Sequence, residues 1–431
     1  MQLVNKTILK KFSSSFSQLL KANFCTKHYQ TLPFFDPDPE IIRFYKTYLN
    51  NNYTKVELEK LLIEKSSSFS QPSFTEKLSK ILSNLEFKNQ LDDVKQIILD
   101  KIATSNNPSL SGLSQYYFKL SGKMVRPLLL ILISKYISEC VSQQSKFSLK
   151  SSNFKTPSID SLLKSKHKDI VHPFAACVEV IHNASLLQDD IIDNSDLRRN
   201  FKTAHTIYGI KNTVFGSNYI LSKAATLITD LNIDPLNEIY SSIVYYLTYG
   251  ECQQTLKKKN IEDLDEYFKT YMNKTYYKTA SLLALSLRGI GIIYDLDQDI
   301  QKKLFNLGIH LGFVFQLVDD VLDVQSDSAI LQKPALQDLK EGVINSHVLF
   351  EIQDDKTGKV LEMVKRKFTE KGDIDNMLEI LKKGNGILKT RNLTYDHMME
   401  SLNNLNDPFF VNNSTKKTLL MCFNMLLNRN Y

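Results

Sequence analysis

An Asp-Asp-x-x-Asp triplet occurs twice in this chain, at Asp189, Asp190 and Asp193 and, 130 residues later, at Asp319, Asp320 and Asp323. Each closes a largely apolar, helix-compatible run. On a helix, residues four apart share a face, so the first and third carboxylates of each triplet project together with the second beside them. Two unit charges about 6 Å apart repel by roughly 0.7 kcal/mol in water and about 3 kcal/mol at an effective dielectric near 20. Each cluster therefore calls for a cation. Mg²⁺, a hard ion that bridges one or two carboxylates to substrate phosphates, is the expected one. One triplet alone would read equally well as a solvated helix face. Two of them, each preceded by an apolar turn, imply helices buried up to their acidic ends and facing across one pocket.

The groups that bind phosphate are also present. Lys123 and Arg126, Arg198 and Arg199, Lys278, Lys333 and Lys340 each fall in or beside an otherwise apolar or acidic stretch. Arginine binds phosphate oxygens bidentately, and lysine supplies a point charge. Singly, each cation reads as a solvated lysine or a surface ion pair; grouped around two Asp triplets, they read as the phosphate side of a metal site.

Glycine (14) and proline (11) are scarce among the 431 residues, about half the usual combined share, which favours long uninterrupted helices. Three- and four-residue apolar spacing predicts helices near 39–50, 55–65 and 73–104. A further run passes from Leu113 through Gly122-Lys123-Met124-Val125-Arg126-Pro127 into Leu128–Cys140. Residues 141–170, rich in Ser, Lys and Gln, read as a flexible insertion. Helices are predicted near 174–196, 213–230, 235–256, 263–288, 298–326 and 341–351, with more beyond Lys356. No run shows convincing period-two alternation. The expected fold is all-α, one large helical bundle domain (36–431) around a central cavity.

Residues 1–35 contain Lys6, Lys10, Lys11, Lys21 and Lys27 and no acidic residue before Asp36. Leu3, Val4, Ile8, Phe12, Phe16, Leu19 and Leu20 recur near helical spacing. This basic, serine-rich amphipathic start has the composition of a mitochondrial transit peptide, although arginine is absent. Much of the formal net charge of +7 sits there, and no basic patch is interleaved with aromatic residues, so a nucleic-acid partner is not expected. The five cysteines, Cys25, Cys140, Cys177, Cys252 and Cys422, lack paired spacing, which argues against a zinc site or a disulfide framework. No apolar run approaches the eighteen or so residues that span a bilayer, so a soluble or peripherally membrane-associated protein is expected.

The sequence resembles the trans-isoprenyl diphosphate synthases, and among them most the mitochondrial long-chain (hexaprenyl to decaprenyl) polyprenyl diphosphate synthases that make the ubiquinone side chain. The matching stretches are Gly122–Pro127 (Gly-Lys-x-x-Arg-Pro), Ile181–Arg199, Lys274–Ala284, Phe315–Asp323, Lys333-Pro334 and Asp338–Gly342. The resemblance implies an isoprenoid synthase-type bundle in which Asp189, Asp190, Asp193, Asp319, Asp320 and Asp323 hold Mg²⁺ on the diphosphate of an allylic primer, farnesyl or geranylgeranyl diphosphate. It further implies that Arg198, Lys278 and Lys333 neutralise that diphosphate, and that Lys123, Arg126, His182 and Arg199 bind isopentenyl diphosphate. Thr279 and Gln316 would direct oxygen dipoles toward the developing allylic cation. A homodimer or a heteromer with a second synthase subunit is implied, in the mitochondrial matrix or on the matrix face of the inner membrane.

Ala184 and Ser185, one helical turn ahead of the first triplet, are small and would leave a tunnel open below the growing tail. A product of about eight to ten isoprene units is expected by family analogy. The chain departs from the family pattern at Gln188, Asn218, Gln332 and Ser346-His347, none of them an expected metal ligand. A non-catalytic subunit would typically lose aspartates that this chain keeps. A class I terpene cyclase would lack the second Asp triplet and the Gly-Lys-x-x-Arg stretch.

Overall fold

The computed structural model describes residues 44–48, 53–66, 85–120, 124–148, 165–198, 201–255, 264–325, 337–340 and 343–427. The leader expected over 1–35 lies outside the described residues, as do Lys123, Arg199, Gln332 and Lys333. Helix α1 (44–48) and α2 (Lys55–Ser66) precede α3 (Leu85–Ile97), α4 (Pro108–Lys119) and α5 (Val125–Ser148). Next come α6 (His172–Ile192), a hairpin of β1 (Leu197–Arg198) and β2 (Phe201–Lys202), α7 (Ala204–Tyr208), α8 (Ile210–Asp230) and α9 (Asp234–Thr255). The chain continues through α10 (Leu264–Thr275), α11 (Ser281–Ile293), α12 (Gln298–Gln325), α13 (Gln337–Lys340) and α14 (Ser346–Asp354). It closes with α15 (Lys359–Lys365), α16 (Asp373–Lys383), α17 (Gly386–Asn403) and α18 (Ser414–Leu427). The fold is all-α, and the hairpin is the only sheet among the described residues.

Every residue of α6 from His172 to Ile181 is buried, as befits a helix that is apolar nearly all round. By length and composition His167–Ile192 could cross a membrane, which corrects the expectation that no stretch approaches that length. However, 78% of its apolar window is inside the protein, where α3, α5 and α8 surround it.

Helix α12 runs against α11 and the π turn Tyr276–Ala280 that joins α11 to α10. A Cβ added to Gly308 would lie 2.5 Å from the Cα of Ala284, and one added to Gly312 would overlap the Cα of Ala280. Only glycine permits backbones this close, so these two contacts fix the register of α12. Gln316 and Asp320 continue the same stripe toward the site.

Several boundaries differ from the sequence expectation. The run through 113–140 is two helices, broken ahead of α5 where Met124 takes a left-handed φ of +47°. Pro127 then falls in the first turn of α5, where its missing N–H costs nothing. Helix α5 persists to Ser148 and helix resumes at 165, so both ends of the supposed 141–170 insertion are helical. Helix α6 stops at Ile192, not 196, because Asn194 turns left-handed (φ +49°) and the Ser195 amide returns to the Asp190 carbonyl at 3.0 Å. The helix expected at 341–351 begins at Ser346.

Candidate active site

Asp189 and Asp190 end α6, and Asp193 is the first residue beyond it. The unpaired carbonyls of a helix C-terminus add negative potential to these carboxylates. The hairpin after α6 brings a cation back to them. Arg198 donates to both oxygens of Asp190 from Nε at 2.8 Å and to Oδ1 from its terminal nitrogen at 2.7 Å. The Tyr117 hydroxyl, on α4, donates to the same carboxylate. Asp190 is thereby satisfied at 2% exposure. Arg198, expected on the diphosphate, is paired with an aspartate in this structure. Asp189 stands differently: its Oδ1 is buried with no hydrogen-bond partner. Burial pushes its carboxyl up to about 7, against the opposing charge of Lys278.

The second triplet repeats the arrangement with other partners. Asp320 is 1% exposed and accepts from the Tyr271 hydroxyl at 2.7 Å and from Gln316 Nε2 at 2.8 Å. The Thr279 hydroxyl donates to Gln316 Oε1 at 2.8 Å, so Thr279 and Gln316 form a chain ending on Asp320. Burial pushes the Asp320 carboxyl up to about 7 as well, opposed by Lys274. Asp319 and Asp323 are half-buried on the same helix.

One continuous stretch, α10 through the π turn into α11, carries cations to both triplets. Lys278 lies 2.5 Å from Glu251 Oε1 on α9 and faces Asp189 and Asp193. A Cβ on the neighbouring Gly250 would lie 2.9 Å from Tyr277 Cβ and 3.0 Å from Lys278 Cγ, so its absence lets α9 approach that closely. Lys274 faces Asp320 and Asp338 and donates to Asn345 Oδ1 at 3.5 Å. Asn345 in turn donates to Asp338 at 2.5 Å. Glu251, Tyr117 and Tyr271 have no signal in the sequence beyond their residue types, and Lys274 enters only as the first residue of a motif. Its spacing of four from Lys278 is the available clue.

The Arg126 guanidinium, in the first turn of α5, lies 5.2 Å over the Phe315 ring, next to Gln316. His182 is half-buried on α6, and its carbonyl accepts from Ser185 Oγ at 2.8 Å. Of the residues expected to bind isopentenyl diphosphate, Arg126 and His182 are the described ones. Ala184 is fully buried, and its carbonyl accepts from Ser217 Oγ at 3.2 Å. Gln188, a departure from the family pattern, donates to that same Ser217 hydroxyl at 2.9 Å and ties α6 to α8 beside the triplet. Lys340 is exposed at the end of α13. A separate open groove of about 840 Å³, lined by Glu86, Asp93, Lys135, His167 and His172, lies at the opposite end of α6 and takes no part in this site.

Among the described residues, no three His, Cys, Asp or Glu side chains form a closed metal cage. Asp190 and Asp320 are turned onto Arg198 and Tyr271. The donor set nevertheless fits a hard divalent cation that completes its shell with water and phosphate oxygens. Asp190 and Asp320 are buried, Asp189, Asp319 and Asp323 half-buried and Asp193 exposed; burial pushes the carboxyls of Asp189 and Asp320 up to about 7, and one Asp189 oxygen has no partner.

Paired acidic helix ends, bridged by a lysine-bearing helix, define a diphosphate-handling helical enzyme. The profile described as polyprenyl synthetase matches residues 107–381. A prenyl transferase of Cyanophora paradoxa is 30% identical over 82% of this chain and 99% of its own length. A probable mitochondrial hexaprenyl pyrophosphate synthase of Yarrowia lipolytica is 31% identical over 70% of this chain and 75% of its own. In fold, the chain is similar to a polyprenyl synthase from Caulobacter crescentus crystallised with calcium and isoprenyl diphosphate. That similarity has a TM-score of 0.67 at 22% identity and covers 82% of this chain and 98% of that one. The chain belongs to the polyprenyl synthetase family and is a prenyltransferase.

Proposed function

We propose that the chain is a trans-polyprenyl diphosphate synthase. It joins isopentenyl diphosphate repeatedly to an allylic primer, farnesyl or geranylgeranyl diphosphate, to build a long prenyl tail. The observation that carries this reading is the placement of Lys274 and Lys278, on one continuous helical stretch, against Asp320 of the second triplet and against Asp189 and Asp193 of the first. Asp189, Asp193, Asp319 and Asp323, with Asp190 and Asp320, would hold Mg²⁺. When bound, the metal would supply positive charge to offset that of the departing diphosphate. Lys278, Arg198 and Lys333 would neutralise that diphosphate, while Lys123, Arg126, His182 and Arg199 would bind the diphosphate of isopentenyl diphosphate. The Thr279 and Gln316 oxygens would be directed toward the developing carbocation, and exclusion of water would let the alkene attack. Released diphosphate takes the final proton.

The small pair Ala184 and Ser185 supports a long product, and so do the names of several relatives, among them mitochondrial solanesyl and hexaprenyl diphosphate synthases. The basic, acid-free leader 1–35 favours a mitochondrial address and hence the ubiquinone tail. Other relatives are chloroplastic. Ile207, Ile210, Val214 and Phe215 are exposed along α7 and α8, an apolar face suited to a homodimer. Incubating the purified chain with labelled isopentenyl diphosphate, farnesyl diphosphate and Mg²⁺ should yield long polyprenyl diphosphates by thin-layer chromatography. Elongation that requires a second chain would make it a heteromer subunit, and no elongation in either case would refute the reading.

A further inference from the structure

The cation beside the first triplet is bonded to a carboxylate outside it. Lys278 Nζ lies 2.5 Å from Glu251 Oε1, with the two side chains 21% and 18% exposed. Packing on two rigid elements builds this pair in. A Cβ on Gly250 would lie 3.0 Å from Lys278 Cγ and 3.1 Å from the Lys278 amide nitrogen, so α9 rests directly on the π turn. On the same helix the Tyr246 and Tyr249 rings meet Tyr277 at 5.4 and 4.8 Å, and Tyr246 also meets Tyr276 at 5.9 Å. Within the triplet, Arg198 already occupies both oxygens of Asp190, whereas Asp189 Oδ1 is buried without a partner. Lys278 is close enough to Asp189 and Asp193 for its charge to favour theirs.

A fourth carboxylate beside three others adds repulsion. Glutamine at 251 would accept the same bond from Lys278 without that cost, so it is the charge of Glu251 that needs a reason. With a neutral residue there, Asp189 and Asp193 would be the strongest attractors left for the Lys278 ammonium. An ion pair with them would cover the oxygens a metal needs, as Arg198 covers Asp190. We infer that Glu251 is a positioning residue: it holds Lys278 off Asp189 and Asp193, keeping them open to the metal until diphosphate draws the lysine away. The inference rests on the proposed metal-dependent reading of the first triplet and deepens it.

The test titrates the full chain with Mn²⁺, counted by electron paramagnetic resonance, first with the metal alone and then with inorganic diphosphate present. Glu251→Gln keeps the size of the side chain and an acceptor oxygen but removes the charge. It should weaken binding of Mn²⁺ alone about fivefold, the worth of one partly exposed ion pair. With diphosphate, which takes the lysine itself, the loss should fall below about twofold. In a Lys278→Met background the same substitution should cost nothing further, because no ammonium remains to close the carboxylates. Unchanged affinity in Glu251→Gln, a loss as large with diphosphate as without, or no Mn²⁺ binding by the wild type would overturn the inference. So would an undiminished loss in the Lys278→Met background, which would make Glu251 a metal ligand or a plain source of negative charge. Elongation by the wild-type chain, assayed separately, tests the synthase reading itself. A chain that binds Mn²⁺ as described but makes no product would sink that reading and leave the Glu251 inference standing.

Discussion

Asp190 and Asp320 hold the same position in their triplets, and each receives a tyrosine hydroxyl, Tyr117 in one case and Tyr271 in the other. In the metal-free fold both middle aspartates are therefore held by hydroxyl partners, with the other aspartates of each triplet more exposed. Replacing Asp190 with Asn would strand the Arg198 guanidinium, which is 17% exposed. A loss of about 3 kcal/mol in urea unfolding is expected, the low end of the range for breaking a buried pair, together with loss of turnover. Asp189 and Asp320 have folded-state values near 7 against an ordinary 3.8. The metal-free fold thus holds extra protons between about pH 4 and 7, and the stability they confer is lost as pH rises through 7. A metal competes with those protons. Mg²⁺ with diphosphate should accordingly raise the melting temperature more at pH 8 than at pH 6; equal increments would count against these carboxylates as its ligands. Ala184→Phe should shorten the product ladder on chromatography and, by overpacking a fully buried site, destabilise the fold by about 1–3 kcal/mol.

The register of α12 on α11 is what aligns Gln316 with Thr279, and it depends on Gly308 and Gly312. Gly312→Ala would drive a methyl into the Cα of Ala280, forcing the helices apart. A stability loss of about 1–3 kcal/mol is expected in urea unfolding, with turnover falling further than substrate affinity because the Thr279–Gln316–Asp320 chain is displaced. The stripe Gly308, Gly312, Gln316, Asp320 is visible in the sequence at a spacing of four. Its partner is less so, since the π turn Tyr276–Ala280 inserts a residue and rotates the downstream side chains by about 100°. Periodicity read across 263–288 as one helix therefore misassigns the faces on one side of the turn. The Leu197–Lys202 hairpin escapes sequence reading for a simpler reason: two-residue strands carry no alternation to detect.

Taking the molecule as a unit, the proposed homodimer would use the apolar face that carries Ile210 (57% exposed) and Phe215 (58%). If the wild-type chain sediments as a dimer, Phe215→Glu should shift it to monomer with the helical signal unchanged. A wild-type monomer, or a variant that stays dimeric, would refute that interface. The segment of α1 and α2 is fastened to α17 through Tyr48, Lys65 and Asp396, so residues more than three hundred positions apart (48 and 396) clasp each other beside α12.

The fold class, the two Asp triplets and most of the surrounding cations are legible without coordinates, because helical periodicity and charge clustering are local properties that survive without tertiary information. Which cation serves which carboxylate is not. Arg198 lies nine residues from Asp189 and could have met the substrate; the hairpin instead turns it onto Asp190. Glu251, Tyr117 and Tyr271 come from three other helices; close approach at Gly250 brings α9 and Glu251 onto the Lys278 turn, and Gly308 and Gly312 seat α12 against that same stretch. Such contacts depend on packing distances of a few tenths of an ångström, and no spacing along a chain encodes them.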